Sequence, residues 1–172
     1  MNAGAHGFSL SDILVSATLL DTKDGSFRSY EKNELRLGYR HSLLMENSDL
    51  VCLDVTLSLQ NGNRDEIARR MKEYRTARNQ SQPLNVPSAG SYFKRPREGF
   101  AGKLIEDCGL KGLRVGDAAV SEKHAGFIVN LGNASCEDIL KLEEKVREEV
   151  SRKFGVTLER EVLLLPREGK EG

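Results

Sequence analysis

The chain has 172 residues, which suits one domain or a small domain with part of a second. Hydrophobic residues make up 38% and charged residues 30%, so a sizeable core is possible and wholesale disorder is disfavoured. Lys plus Arg and Asp plus Glu number 26 each, and this balance argues against a general nucleic-acid binder.

The cysteines and the apolar runs exclude several other classes of protein. Cys52, Cys108 and Cys136 are scattered without CxxC spacing, so neither a zinc site nor a disulfide framework is indicated. No apolar run is long enough to span a bilayer. Residues 1–7 lack the basic and apolar regions of a signal peptide. We therefore expect a cytoplasmic protein with no metal and no membrane partner.

The first half of the chain reads mainly as strands followed by one helix. Residues 2–7 are small and glycine-rich, which is typical of a ligand loop lined by backbone. The pattern predicts a strand at 13–20, a hairpin partner at 26–30, a strand at 50–59 and a helix at 65–79. From Leu53 the third of these strands alternates, which predicts one buried face.

The second half predicts a helix at 101–108 ended by Gly109, and a strand within 120–130. The clearest helix begins at the cap residue Ser135, ends at Gly155 and has an apolar stripe: Ile139, Leu142, Val146 and Val150. Residues 156–165 predict a last strand, in which Glu161 lies where a polar end gives way to an apolar one. A covered carboxylate there could hold a proton, whereas a surface glutamate is the plainer interpretation.

The segment between Pro87 and Pro96 combines features that suit an anionic substrate. Ala89-Gly90 removes side-chain bulk, Ser91 offers a hydroxyl, and Lys94-Arg95 supplies two cations. Taken alone, the segment fits a polar surface loop better than a substrate site. The segments around it decide between these interpretations.

Eight segments in order resemble one family, the UDP-N-acetylenolpyruvoylglucosamine reductases. The matching residues are 1–7, 39–42 (Tyr-Arg-His-Ser), 82–83 with 87–91, 93–96, 101–105, 109–112, 116–130 and 158–162. Each motif is weak by itself, but together they span nearly the whole chain. The short passage from residue 79 to 88 resembles the subgroup without a tyrosine-bearing insertion.

The resemblance implies an α+β fold in two parts. Residues 1–79 would be the remainder of a PCMH-type FAD-binding subdomain, and residues 80–172 an α+β substrate-binding domain. The implied activity is reduction of UDP-N-acetylglucosamine enolpyruvate to UDP-N-acetylmuramate for peptidoglycan, with FAD and NADPH as cofactors. The resemblance also implies a monomer.

The family's roles carry over residue by residue. Catalytic roles fall on Arg40, Ser91 and Glu161; flavin binding on Asn2, Ala3, Gly4 and Gly7; and substrate binding on Tyr39, Lys94, Lys123 and His124. Arg95 stands where some members carry a substrate-binding asparagine, so that contact is not assigned here.

One departure from the family leaves an alternative open. Complete members carry a flavin-binding region before the segment that matches Met1, so we expect an amino-terminally truncated chain. The alternative to an oxidoreductase is a non-enzymatic remnant that retains a nucleotide-sugar-binding domain. A more distant alternative, another flavoprotein of the same superfamily, is disfavoured by the combination of Tyr39-Arg40, Ser91 and Glu161.

Overall fold

A computed structural model describes residues 1–165 of the chain, which divides into two compact units. The first unit is Met1–Arg64 and the second begins at Asp65. The predicted boundary between residues 79 and 80 is a different kind of division, because it separates a flavin-binding part from a substrate-binding part. It stays a prediction.

The first unit is built on a three-stranded antiparallel sheet. Strand β3 (Leu14–Asp21) lies between β4 (Phe27–Glu31) and β5 (Leu50–Leu57), which confirms the predicted hairpin of β3 and β4. A short ribbon, β1 (Gly4–Ala5) with β2 (Phe8–Ser9), precedes the sheet, and the short helix α1 (Leu43–Glu46) precedes β5. The buried hydrophobic side chains of this unit are Leu14, Ala17, Leu19 and Leu35.

The expectation that β5 has a buried face is wrong for the described chain. The apolar side chains that alternate along one face are substantially exposed: Val51 45%, Leu53 54%, Val55 46% and Leu57 39%. Strand β5 is an edge strand, and no described residue covers this face. The apolar residues of helix α2 (Arg64–Ser81) are exposed in the same way: Ile67 45%, Met71 66% and Tyr74 40%.

The second unit packs two helices on one face of a four-stranded antiparallel sheet. The strand order is β6 (Ser88–Ser91), β9 (Phe127–Asn130), β8 (Ala118–Val120) and β7 (Arg114–Val115). Helices α3 (Ala101–Asp107) and α4 (Cys136–Phe154) supply the rest of the core, as predicted. Its most deeply buried side chains are Ile105, Val120, Leu142, Val146, Val150 and Leu158.

Two strand predictions need correction. Residues 120–130 form the end of β8 and the start of β9 with a tight turn between them, closed by the bond from Phe127 N to His124 O at 3.0 Å. Residues 156–165 do not form a strand, because only Arg160 has a bridge partner, Phe93. Val156 and Leu158 are buried in the core nonetheless.

Helix α4 begins with the predicted cap. Ser135 Oγ accepts a hydrogen bond from Asp138 N at 3.1 Å, and Asp138 Oδ2 accepts one from Ser135 N at 2.9 Å. These bonds to Ser135 lower the pKa of the Asp138 carboxyl. A carboxylate with a lowered pKa stabilises the fold above its unfolded pKa, near 4, and loses that contribution as the pH falls through the folded pKa.

Asp138→Asn should therefore lower the unfolding temperature at neutral pH and lower it by less at about pH 3. Thermal unfolding followed by circular dichroism at both pH values checks this, with Glu144→Gln as the control on the exposed face of the same helix. A difference from wild type that is as large at acidic pH would show that the charge of Asp138 is not its source.

Candidate active site

Tyr39 and Arg40 lie at the tip of a tight hairpin in the first unit. Gly38 and His41 close it by exchanging two backbone hydrogen bonds of 3.2 Å. Arg40 has φ +51°, a conformation that costs a non-glycine residue roughly 1–2 kcal/mol. Its guanidinium carbon lies 5.4 Å from the centre of the Tyr39 ring. The turn thus presents a cation beside an aromatic ring.

Asn2 holds the base of this turn with its side chain. Its Nδ2 donates to the Gly38 carbonyl at 3.2 Å, and its Oδ1 accepts from Ser11 N at 2.8 Å. Asn2 was predicted to bind flavin, and that role stays a prediction. The structure adds a second role that the sequence did not indicate, which is to tie the glycine-rich loop to the hairpin that carries Arg40.

The other predicted flavin-binding residues lie in the β1–β2 ribbon, with their backbone exposed. A Cβ at Gly4 would come 3.0 Å from the Phe8 carbonyl oxygen, so any side chain there would crowd the ribbon. Gly7 has φ +84°, which favours glycine. Ala3 O accepts a hydrogen bond from Leu10 N at 2.9 Å. The loop is therefore held in a shape that larger residues would disturb.

Ser91 ends strand β6 in the second unit and is exposed. It pairs with Phe127 of β9, and the next residue, Tyr92, donates its backbone N–H to Gly126 O at 2.8 Å. Gly90, with φ +87°, lies at the irregularity in the ladder just before Ser91. The backbone of Ser91 therefore lies beside the turn between β8 and β9.

That turn carries Lys123 and His124. The buried Ser121 Oγ accepts from the backbone N–H groups of both, at 3.2 and 3.3 Å. His124 Nδ1 accepts from Gly126 N at 3.0 Å, so the neutral ring carries its hydrogen on Nε2. Lys123 Nζ donates to Asn79 O at 2.5 Å. Both predicted substrate-binding side chains thus have defined structural contacts.

Glu161 and Lys94 are brought near Ser91 by a single bridge in the backbone. Glu161 N donates to Tyr92 O at 2.9 Å, and Lys94 N donates to Glu159 O at 2.8 Å. Lys94 Nζ also lies 3.2 Å from Glu159 Oε2. The structure therefore places Ser91, Lys94 and Glu161 on neighbouring backbone segments. Arg40 and Tyr39 belong to the first unit.

A buried carboxylate beneath this bridge was missed by the sequence analysis. Glu143 is 2% exposed, and its Oε2 accepts from Tyr92 Oη at 2.9 Å and from Arg160 Nε at 2.7 Å. Burial and the bond to Glu143 raise the pKa of Tyr92, and the bond to Glu143 raises that of Arg160. Tyr92 therefore stays a protonated donor, and Arg160 stays a cation. The sequence did contain an indication that Glu143 is buried, since this residue directly follows Leu142 of the apolar stripe.

The family model for the UDP-N-acetylenolpyruvoylglucosamine reductase C-terminal domain matches residues 82–165. The reductase of that name from Lachnoclostridium phytofermentans is 51% identical over 165 residues, which cover 96% of this chain and 53% of that protein. The one from Clostridium novyi is 48% identical over 99% of this chain and 55% of its own length. Over residues 82–165, the chain therefore matches the carboxy-terminal domain of the UDP-N-acetylenolpyruvoylglucosamine reductases.

The fold agrees with this similarity. The crystal structure of the UDP-N-acetylenolpyruvylglucosamine reductase from Thermus caldophilus aligns with a TM-score of 0.81 and 40% identity, over 96% of this chain and 58% of that one. The predicted mixed α and β fold and the family resemblance are thus confirmed. The chain spans about half the length of the curated reductases it matches. Among residues 1–165, no helix has the length and apolarity that a membrane span needs.

Proposed function

We propose that the chain is part of an enzyme that reduces UDP-N-acetylglucosamine enolpyruvate to UDP-N-acetylmuramate in peptidoglycan precursor synthesis, with residues 80–172 as its substrate-binding domain. Relatives named as reductases match 96% or more of the chain at about half identity. The observation that carries the proposal is the bridge of Phe93 and Arg160, which brings Ser91 and Glu161 onto adjacent segments. We further propose that the enzyme is a cytoplasmic monomer.

Each predicted catalytic residue has a role that its chemistry suits. Bound FAD, reduced by NADPH, would supply a hydride to the enolpyruvyl double bond. Negative charge then builds on the neighbouring carbon and its carboxylate, where Arg40 provides a charge-assisted hydrogen bond. Glu161 in its protonated form donates a second hydrogen bond to the same carboxylate. Ser91 delivers the proton that completes the reduction.

The glycine-rich loop fits a flavin. Gly4 and Gly7 keep side chains away from an exposed stretch of backbone, which lets a ligand approach its N–H groups and carbonyls. Asn2 connects this loop to the Arg40 hairpin through Gly38. We propose that Asn2, Ala3, Gly4 and Gly7 contact the cofactor.

The substrate carries a diphosphate and a carboxylate, so cations are needed to bind it. We propose that Lys94, Lys123 and His124 contact these anionic groups and that Tyr39 packs against the substrate. Lys94 Nζ lies close to Glu159, and its side chain is 46% exposed, so it can turn to a ligand at small cost. Because His124 Nδ1 accepts a hydrogen bond from Gly126 N, Nε2–H is the donor of the neutral ring.

Isothermal titration calorimetry of the chain with the enolpyruvyl substrate tests the binding part of the proposal. We expect weak binding that becomes weaker as salt is added, because lysines meet the diphosphate. Lys94→Gln should weaken it, whereas Lys145→Gln, which removes an exposed lysine of α4, should not. A folded chain that gives no heat at millimolar substrate would contradict the proposal.

A fusion of the amino-terminal part of the Lachnoclostridium phytofermentans relative to this chain tests the activity. We expect NADPH oxidation that depends on the enolpyruvyl substrate. Binding without any such oxidation would favour the non-enzymatic alternative, a domain that only recognises the nucleotide sugar.

A further inference from the structure

We propose that Glu143 is a positioning residue, which holds Tyr92 against Arg160 and thereby fixes Ser91 relative to Glu161. The inference rests on the proposed function for the roles of Ser91 and Glu161. The position of Glu143 does not depend on it, since three side chains form one hydrogen-bonded cluster, here called the Glu143 clamp: the buried Tyr92 and Glu143, and Arg160, whose side chain is 27% exposed.

Each donor of the clamp is adjacent in sequence to one of the proposed catalytic residues. Tyr92 directly follows Ser91, and Arg160 directly precedes Glu161. A single carboxylate oxygen, Glu143 Oε2, accepts a hydrogen bond from each of these neighbours. Because one atom joins the two segments, a shift of either segment along the other must lengthen one of the two bonds.

The backbone alone holds this register weakly. Phe93 and Arg160 form an isolated bridge, flanked by two hydrogen bonds, from Glu161 N to Tyr92 O and from Lys94 N to Glu159 O. Residues 156–165 have no further ladder in the described chain. A slip by one residue turns a side chain to the opposite face, so a short pairing needs another constraint to fix which face Glu161 occupies.

The acceptor of the clamp, Glu143, lies in a long helix, and its buried carboxylate has few hydrogen-bond donors. Glu143 lies in α4, between the fully buried Leu142 and Val146. Its Oε1 has no hydrogen-bond partner among the described residues and lies 3.7 Å from Arg147 Nη1, so the buried charge depends on Oε2. A buried ion pair contributes uncertainly to stability but can fix a unique arrangement. Here that arrangement is the register of the two segments that carry Ser91 and Glu161.

Hydrogen exchange of the whole chain separates a positioning role from a purely structural one. Glu143→Gln keeps the size of the side chain and removes its charge. We expect the backbone amides of Glu161 and Lys94 to exchange about tenfold faster, because their bridge opens more often. The amides at the centre of α4 and in β9 should keep their rates, as should every amide in the control Glu144→Gln. A uniform rise at all protected amides, or none at Glu161 and Lys94, would overturn the proposal.

Tyr92→Phe provides a second, milder variant in case Glu143→Gln does not fold. It removes one hydrogen bond of the clamp and keeps the ring in the core. The same two amides should exchange faster by a smaller factor, while the core amides stay as they are. Unchanged exchange at both amides would count against the clamp.

The fusion with the relative's amino-terminal part supplies the functional readout. In Glu143→Gln, oxidation of the reduced flavin by the enolpyruvyl substrate should slow about tenfold, while substrate affinity and flavin reduction by NADPH change little. An unaltered rate of that step would overturn the positioning role. If the wild-type fusion does not reduce the substrate at all, the proposed function fails, and the exchange rates still decide whether the clamp holds the register.

Discussion

Replacing Ser91 by Ala should slow oxidation of the reduced flavin by the enolpyruvyl substrate by about 10²- to 10⁴-fold, the range for loss of a positioned proton donor. Reduction of the flavin by NADPH should proceed almost unchanged, because that half-reaction takes no proton from Ser91. Substrate affinity should also change little, since Arg40 and the lysines remain. Stopped-flow measurement of the two half-reactions, in the fusion protein, gives both rates.

Two further variants separate proton delivery from a structural role of the hydroxyl. Ser91→Cys should retain more activity than Ser91→Ala, because a thiol has a transferable proton in nearly the same place. Ser88→Ala removes an exposed hydroxyl from the other end of β6 and should leave both half-reactions intact. Equal rates for wild type and Ser91→Ala in the substrate half-reaction would end the assignment.

Helix α4 shows how far the sequence could be interpreted locally. Its cap, its apolar stripe and its end are all encoded within a few residues: Ser135 with Asp138 begins it, and Gly155, at φ +67°, ends it. The side chains predicted to face inward include Leu142, Val146 and Val150, which are fully buried. Such signals depend on neighbours three or four residues away, so they can be recognised without knowing the rest of the fold.

Strand β5 shows where a local pattern stops being sufficient. The alternation from Leu53 correctly predicted an extended strand with one apolar face, but that face is exposed in the described chain. Periodicity indicates which side chains share a face, whereas burial depends on what packs against it. The apolar stripe of α2 is exposed for the same reason: Ile67, Met71 and Tyr74.

The candidate site was predictable only in part. The resemblance to the reductase family pointed to Ser91 and Glu161, and the structure brings their segments together through Phe93 and Arg160. The strand predicted for residues 156–165 was wrong, because its partner is a single residue of a distant segment rather than a whole strand. Glu143 was missed for a related reason. A glutamate is buried only when donors reach it, and here both donors are far away in the sequence.

The Glu143 clamp leads to the largest effect on stability that we expect. Arg160→Met removes the cation and leaves a charged carboxylate that is 2% exposed, with Tyr92 as its remaining donor in the clamp. Removing one partner of a buried pair costs about 3–5 kcal/mol of unfolding free energy, and because the Arg160 side chain is 27% exposed we expect the lower end of that range. Urea unfolding followed by circular dichroism should show this loss. Arg147→Met is the matched control, since Arg147 is 46% exposed and lies 3.7 Å from Glu143 Oε1, and it should cost under about 1 kcal/mol.

The unfolding free energy lost in Arg160→Met should be recovered when the carboxylate of Glu143, left without its cation, is removed as well. The triple variant Tyr92→Phe, Glu143→Leu, Arg160→Met replaces the clamp with apolar side chains, and such replacements of buried ion pairs are often neutral or stabilising. It should therefore unfold at a urea concentration closer to wild type than Arg160→Met does, although its substrate half-reaction stays slow, because the register of Ser91 and Glu161 is no longer fixed. A triple variant that is no more stable than Arg160→Met would show that the cost comes from lost packing of the arginine and not from the buried charge.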